Sequence, residues 1–188
     1  YRSRPMVDVH QAETLAEQLL GGELPRRWRH CGGVAARAES IVGILSPLRD
    51  LLVSAAWLHD VGYASALVDT GFHPIDGARH LQGLDVDDRV VNLVAHHSCA
   101  RVEANLRGLD GLLQREFPRD SSLPHDELCC CDQTTSPDGA VVDVTERLAE
   151  IRRRYEDGHV VRRFVDVAEP ELVETVRRVE ARYSLQPR

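Results

Sequence analysis

The sequence predicts an all-α protein. Apolar residues recur at spacings of three and four over most of the 188 residues, as they do along one face of a helix. Strand-like alternation of apolar and polar residues is scarce, and we find no β-hairpin signal. Internal repeats and low-complexity linkers are absent, and the length suits a single domain of ordinary size.

The first three helices are predicted from this spacing and from the residues that end them. Val7 to Leu20 has helical periodicity, and Gly21-Gly22 stops it. A second helix runs from about Pro25 to Leu45, with an apolar face that includes His30. Ser46-Pro47 begins a third helix, whose apolar stripe contains His59, with Asp60 beside it.

The remaining helices follow in the same way. His73-Pro74 places a proline in the first turn of a short helix that ends near Leu84. The acidic run that begins at Asp85 suits the N-terminus of a helix extending to His97. Further helices are predicted at Glu103–Phe117, Pro124–Thr134, Val142–Tyr155 and Pro170–Ser184.

Composition excludes several classes of function. All 23 basic residues are arginine, and the 30 acidic residues give a formal charge of −7. This charge disfavours binding to nucleic-acid polymers and to anionic membranes. Without lysine there is no Schiff base, no P-loop lysine and no lysine general base.

The five cysteines are typical of reduced thiols in a cytoplasmic protein. Two are isolated, and Cys129-Cys130-Cys131 are consecutive, so they are poorly placed to bridge one another or to chelate one ion. We therefore expect them to pack as small apolar residues. No apolar run reaches the roughly 18–20 residues of a membrane span, and no signal-peptide core opens the chain.

Four chemically active residues lie on apolar helix faces. His30, His59, Asp60 and Asp132 are predicted to point inward, where an unpaired polar group is costly. One inward histidine is typically a hydrogen-bonded core residue, but four such groups on three helices are better explained by a common ligand. Imidazole and carboxylate are ligands for Zn²⁺, Mn²⁺, Fe²⁺ or Ni²⁺.

Three further histidines between Asp60 and Asp132 are candidate ligands. His73 precedes the short helix, and His96-His97 closes the following one. His97 shares a face with Val90 and Val94, so helical periodicity favours it over His96 as the inward member.

The ordered set resembles the H…HD…D signature of the HD-domain superfamily of metal-dependent phosphohydrolases. The surrounding text matches as well: RWRHCGGVA around His30, SAAWLHDVGY around His59-Asp60 and CDQTTSPDG around Asp132. The resemblance covers about residues 25–156. It implies an HD-domain helical bundle with a five-helix core and peripheral helices. The domain organisation is then an N-terminal segment and helix at 1–24, the metal-binding core at 25–156, and a helical extension of the same domain at 157–188.

The resemblance also implies the chemistry. One or two divalent ions (Fe, Mn, Ni, Co, Zn or Mg) would be held, with Asp60 as the catalytic and bridging carboxylate. One ion would take His30, His59 and Asp132, and the other would take His73, His96 and His97. A metal lowers the pKa of its water from about 15.7 toward 7 and so provides hydroxide to attack a phosphomonoester or phosphodiester. The expected substrate is a small phosphorylated molecule, often a nucleotide.

Two departures from the family pattern affect this interpretation. Many dinuclear members read HD-x-x-K, with the lysine near the substrate phosphate, but Tyr63 occupies that position here. The Gly-Tyr-Pro extension of cyclic-dinucleotide phosphodiesterases is also absent after His97. Arg101 is the nearest basic residue after the histidine pair, and we take it as the candidate phosphate-binding residue. Arg26, Arg27 and Arg29 are interpreted as solvated helix residues.

Two alternatives stay open from the sequence. Some superfamily relatives with this ligand order hold two irons and use O₂ to cleave carbon bonds. The second alternative is that the chain is a non-catalytic interaction domain stabilised by a metal. The oligomeric state is open as well, because the arginine- and glutamate-rich last helices could pack between the subunits of a homo-oligomer. We prefer to interpret them as helices that close the domain.

Overall fold

The computed structural model describes residues 8–43 and 45–184, and within these residues the protein is helical, with no strand. The all-α prediction is therefore confirmed. The helices are α1 (Val9–Ala16, continued by a π turn), α2 (Pro25–Val42), α3 (Arg49–Leu58), α4 (His73–Gly83), α5 (Asp88–Ala95), α6 (Ala100–Leu106), α7 (Asp110–Glu116), α8 (His125–Gln133), α9 (Val144–Arg154) and α10 (Val160–Arg182). Val7 and Ile44, which the predicted first and second helices include, lie outside the described residues.

Helix α3 forms the centre of the bundle. Seven of its residues are buried, as expected of a helix whose apolar residues surround its axis. Helices α1, α2, α5 and α8 pack against it, while α10 covers α8 and α9. None of the helices in the described part of the chain combines the length and the apolar character required to cross a bilayer.

Two predicted helices differ from the observed ones. The segment predicted as one helix over Glu103–Phe117 forms α6 and α7, separated around Gly108, which adopts a positive φ of 73°. The last helix begins at Val160 rather than at Pro170, with His159 as its N-cap. Its buried stripe runs through the proline from Phe164 to Val179, so packing along the whole face outweighs the lost hydrogen bond.

Other boundaries shift by a few residues. Helix α2 ends at Val42 because Gly43 turns the chain with a φ of 73°. Helix α5 begins at Asp88, where the side chain of Asp87 caps the helix by accepting a hydrogen bond from the backbone of Arg89. In the described part of the chain, one isolated antiparallel bridge joins Thr135 to Val141 around a tight turn, where the sequence showed no hairpin signal.

Gly62 allows the segment after α3 to lie directly on α4. A Cβ atom at this position would be 2.0 Å from the carbonyl oxygen of His73 and 2.6 Å from the backbone nitrogen of Gly77. Both neighbours are backbone atoms, so neither can rotate away. The close approach holds Asp60 and His73 side by side.

We expect Gly62→Ala to lower the free energy of unfolding by at least about 2 kcal/mol, because the methyl group would force α4 away from the end of α3. Gly111→Ala in α7 is the matched control. A Cβ there meets nothing within 4 Å, so its unfolding free energy should be unchanged or higher by up to about 1 kcal/mol. Chemical denaturation measures both values. Equal stability of the two variants would contradict this account of the contact.

Candidate metal centre

His30 and Asp132 bring α2 and α8 together in the interior. His30 is on the buried face of α2, and its Nε2 lies 3.0 Å from Oδ1 of Asp132. The second carboxylate oxygen of Asp132 accepts hydrogen bonds from the hydroxyl of Ser98 and from Nε2 of Gln133. Ser98 adopts a positive φ of 47°, which places it in the uncommon left-handed region.

His59 and Asp60 are at the end of α3, where the helix gives way to a short 3₁₀ turn. His59 is fully buried, and its Nε2 lies 3.5 Å from Oδ2 of Asp60 and 3.9 Å from Oδ1 of Asp132. His59 and Asp60 therefore lie beside the His30–Asp132 pair, and Asp60 also has a second side, which faces two further histidines.

His73 and His97 approach Asp60 from that second side. Nε2 of His73 lies 3.3 Å from Oδ1 of Asp60, and Nε2 of His97 lies 3.9 Å from the same oxygen. The two Nε2 atoms are 3.1 Å apart. Helix α4 begins at His73, whereas His97 follows the end of α5.

Three of these imidazoles are held by the same kind of hydrogen bond, from Nδ1 to a backbone carbonyl. Nδ1 of His30 donates to the carbonyl of Ser136, while His59 and His97 donate to the carbonyl three residues earlier, at Ala56 and Val94. A carbonyl only accepts, so Nδ1 carries the proton and Nε2 of the neutral ring presents a lone pair toward the cluster. Histidines that ligate metals through Nε2 are typically fixed by such a bond at Nδ1.

The cluster contains two groups that share Asp60. Its residues His30, His59 and Asp60 offer ligand atoms within 4.8 Å of one another, and so do Asp60, His73 and His97. Oδ2 of Asp60 is the oxygen near His59, whereas Oδ1 is the oxygen near His73. One carboxylate thus presents a separate oxygen to each group.

The donor set fits a divalent cation. Nε2 of His59 is buried without a hydrogen-bond partner, whereas Nε2 of His97 and Nε2 of His73 are within hydrogen-bond distance of each other. A buried polar atom without a partner is costly, and a cation placed beside Nε2 of His59 would supply the missing interaction. Burial lowers the pKa of His59 to about 4 and also lowers the pKa of His73, so both rings are neutral, as a ligand must be, at pH 7.

Both carboxylates in the cluster are ionised. Burial alone would raise the pKa of Asp60, but Arg27, His59 and His73 hold it well below its usual range. Burial opposes ionisation of Asp132 in the same way, but the neighbouring imidazoles of His30 and His59 hold its pKa below its usual range. Two buried carboxylates beside imidazole nitrogens form a donor set that suits a divalent ion.

Arg27 belongs to this site, which corrects its interpretation as a solvated residue. Its guanidinium forms an ion pair with Oδ2 of Asp60 and stacks 3.7 Å from the ring centre of Tyr63. Tyr63 in turn stacks on His73, with ring centres 3.9 Å apart. Arg27 precedes His30 by three residues and so shares its helix face, a signal that the sequence contained. Tyr63 occupies the lysine position of HD-x-x-K, and this was the sequence signal for its place beside the site.

His96 and Arg101 are not brought to the cluster. Nε2 of His96 lies 2.6 Å from the carbonyl oxygen of Phe117, and its ring packs against His125. His96 is the C-cap of α5 and His97 begins the 3₁₀ turn that follows, so the two side chains point in different directions, His97 toward the cluster and His96 toward the end of α7. Arg101 is largely exposed and pairs with Asp110, with Nε 3.0 Å from Oδ1. The predicted metal-ligand role of His96 and the predicted phosphate-binding role of Arg101 therefore do not agree with this geometry.

A family model described as HD domain matches residues 27–133, more than half of the chain. The matched segment begins at Arg27 and ends one residue after Asp132, so it includes every side chain of the cluster. No match was found among curated proteins or among solved structures.

The two-group geometry predicts which variants lose metal. After loading with Mn²⁺ and desalting, we expect His59→Ala and His97→Ala each to retain less metal per chain than the unsubstituted protein. His96→Gln is the matched control, since an amide can keep a hydrogen bond to the carbonyl of Phe117, and it should retain the full amount. Elemental analysis measures the ratio. Metal loss in His96→Gln equal to that in His97→Ala, with both proteins folded, would contradict the assignment.

Proposed function

The chain belongs to the HD-domain family, and from this membership we propose that it is a metal-dependent hydrolase of small phosphorylated molecules. The bond cleaved would be a phosphomonoester or phosphodiester, and a nucleotide is the substrate class that we favour. Most members of the family are metal-dependent hydrolases. The observation that carries the proposal is the shared carboxylate of Asp60, which lies between two groups of inward-facing imidazole nitrogens.

The residues of the cluster have distinct roles in this proposal. His30, His59 and Asp132 would hold one divalent ion, His73 and His97 would hold a second, and Asp60 would contribute to both. A bound divalent ion supplies a Lewis acid that polarises phosphoryl oxygens and makes hydroxide available at neutral pH. The backbone carbonyls behind the histidines keep these rings oriented before substrate arrives, which reduces reorganisation during the reaction.

A small cavity opens onto the cluster and gives substrate a place to bind. It has a volume of about 90 Å³, and Asp60, His73, His97 and Asp132 are among the residues that line it. Ser98 lines the same cavity while donating its hydroxyl proton to Asp132, so it fixes the orientation of that carboxylate. A cavity of this size suits a phosphoryl group rather than a whole nucleotide.

Arg27 takes the place in this proposal that Arg101 held in the sequence interpretation. Its guanidinium lines the cavity and is held by Asp60 on one side and by the face of Tyr63 on the other. The pairing with Asp60 raises the pKa of Arg27 despite the opposing effect of burial, so the group is always charged. A fixed, charged guanidinium beside the metal ligands suits a phosphoryl oxygen.

Activity assays with the Mn²⁺-loaded protein test the proposal. We expect release of phosphate from a panel of nucleotides or of nitrophenol from nitrophenyl phosphate esters, and a loss of at least about 100-fold in kcat/KM in Asp60→Asn. Arg27→Gln should reduce kcat/KM by about 10- to 100-fold, because a charge-assisted hydrogen bond is removed. Arg101→Gln is the control and should leave the rate unchanged.

Two outcomes would contradict the proposal. One is the absence of turnover across a broad panel of phosphate esters with Mn²⁺, Co²⁺, Ni²⁺ and Fe²⁺. The other is O₂ uptake with an organic substrate by protein that contains two irons, which would instead support the oxygenase alternative.

A further inference from the structure

A second, larger cleft lies beside the cavity of the metal centre. Its volume is about 340 Å³, and its lining includes four arginines and a single acidic residue, Glu23. Arg27, His30, Arg147 and Arg154 line both the cleft and the inner cavity. The two spaces therefore share a boundary made of a metal-centre histidine and three guanidinium groups.

Helix α9 holds two of these arginines in place through one carboxylate. Nη1 of Arg147 lies 2.7 Å from Oε2 of Glu150, and Arg154 donates from Nε and Nη2 to Oε1 of the same residue. Arg147, Glu150 and Arg154 follow one another at spacings of three and four, so they lie along one face of α9. Two positive charges share one negative charge, which leaves a local excess of positive charge.

Arg147 has an unsatisfied donor at this boundary. Arg147 as a whole is 9% exposed, and its Nε atom is buried without a hydrogen-bond partner. A buried guanidinium with an unpaired N–H is costly unless a ligand completes its hydrogen bonds. The ion pair with Glu150 uses only Nη1, so that pair alone does not account for the burial of Nε.

We propose that Arg147 and Arg154 bind a second phosphate group of the substrate, so that the natural substrate carries at least two phosphates. This inference rests on the proposed function, since the first phosphate is the one at the metal centre. The second phosphate would lie in the outer cleft, where the boundary with the inner cavity keeps it close to the reacting one. The substrate class is a nucleoside polyphosphate or another small bisphosphorylated molecule.

Charge and geometry both favour phosphate as the occupant. Guanidinium groups bind phosphate oxygens through paired N–H donors, and Arg147 and Arg154 offer such donors from one helix face. Arg26 and Arg27 are paired with Asp138 and Asp60, so the arginines of the cleft that exceed their acidic partners are Arg147 and Arg154, which share Glu150. The one acidic residue in the lining, Glu23, already has a partner, because its carboxylate accepts hydrogen bonds from Ser65.

Helix α9 also lies outside the part of the chain that the family model matches, which ends at residue 133. The metal ligands are thus contributed by the matched segment, whereas the two arginines come from the segment that follows it. This arrangement suits a chain in which the matched part provides the chemistry and α9 selects the substrate.

Binding to non-hydrolysable probes tests the inference without requiring turnover. The probes are methylenediphosphonate, which has two anionic groups, and methylphosphonate, which has one, each measured by equilibrium dialysis against the protein in excess Mn²⁺. We expect Arg147→Gln and Arg154→Gln each to weaken methylenediphosphonate binding by about 10- to 100-fold. Binding of methylphosphonate should change by less than about two-fold, because it needs only the metal centre.

Arg153→Gln is the matched control. Arg153 is exposed on the same helix and lines neither cavity, so its substitution should leave both probes unaffected. Arg154→Gln provides the decisive variant if Arg147→Gln fails to fold, because Arg154 is partly exposed and Glu150 keeps its pair with Arg147.

The outcomes separate this inference from the proposed function. Unchanged diphosphonate affinity in both variants, or an equal loss for both probes, would overturn the second-phosphate site even if phosphate esters are hydrolysed. Arginine-dependent diphosphonate binding without any turnover would support the site and count against the hydrolase proposal alone.

Discussion

The structure depends on satisfying a set of polar atoms that its helices bury together. Five helices or their ends deliver imidazole and carboxylate groups to one point in the core. Leaving such groups unpaired costs free energy comparable to a lost hydrogen bond for each, which is a large fraction of the stability of a domain this size. Backbone carbonyls satisfy one nitrogen of three histidines, and the atoms that face inward are left for a cation.

Asp60 connects the buried histidines to Arg27, which is partly exposed at the surface of the protein. Its two oxygens serve two groups of histidines, and one of them also anchors Arg27. Arg27, Tyr63 and His73 then form a continuous stack at the side of the cluster. The segment that carries Tyr63 can reach this position only because Gly62 allows the backbone to lie against α4. One carboxylate thus links the two groups of histidines, the position of Arg27 and the packing of a loop.

Much of the cluster could be predicted from the sequence, because the inward groups occur at the spacing of apolar residues. His30 follows the buried stripe of α2, and the same periodicity distinguishes His97 from His96. The interpretation of Arg27 as solvated is wrong because its partners, Asp60 and Tyr63, come from another part of the chain, although its spacing of three from His30 places both on one helix face. The start of α10 was missed for a similar reason. Pro170 has the local signature of a first turn, but a buried stripe that continues on both sides of it keeps the helix intact.

Anomalous X-ray diffraction from crystals of the metal-loaded protein, with data collected at the absorption edge of the bound metal, tests the central claim most directly. We expect one anomalous peak among His30, His59, Asp60 and Asp132, and a second among Asp60, His73 and His97. A peak coordinated by His96, or a loaded protein with no peak at Asp60, would contradict it.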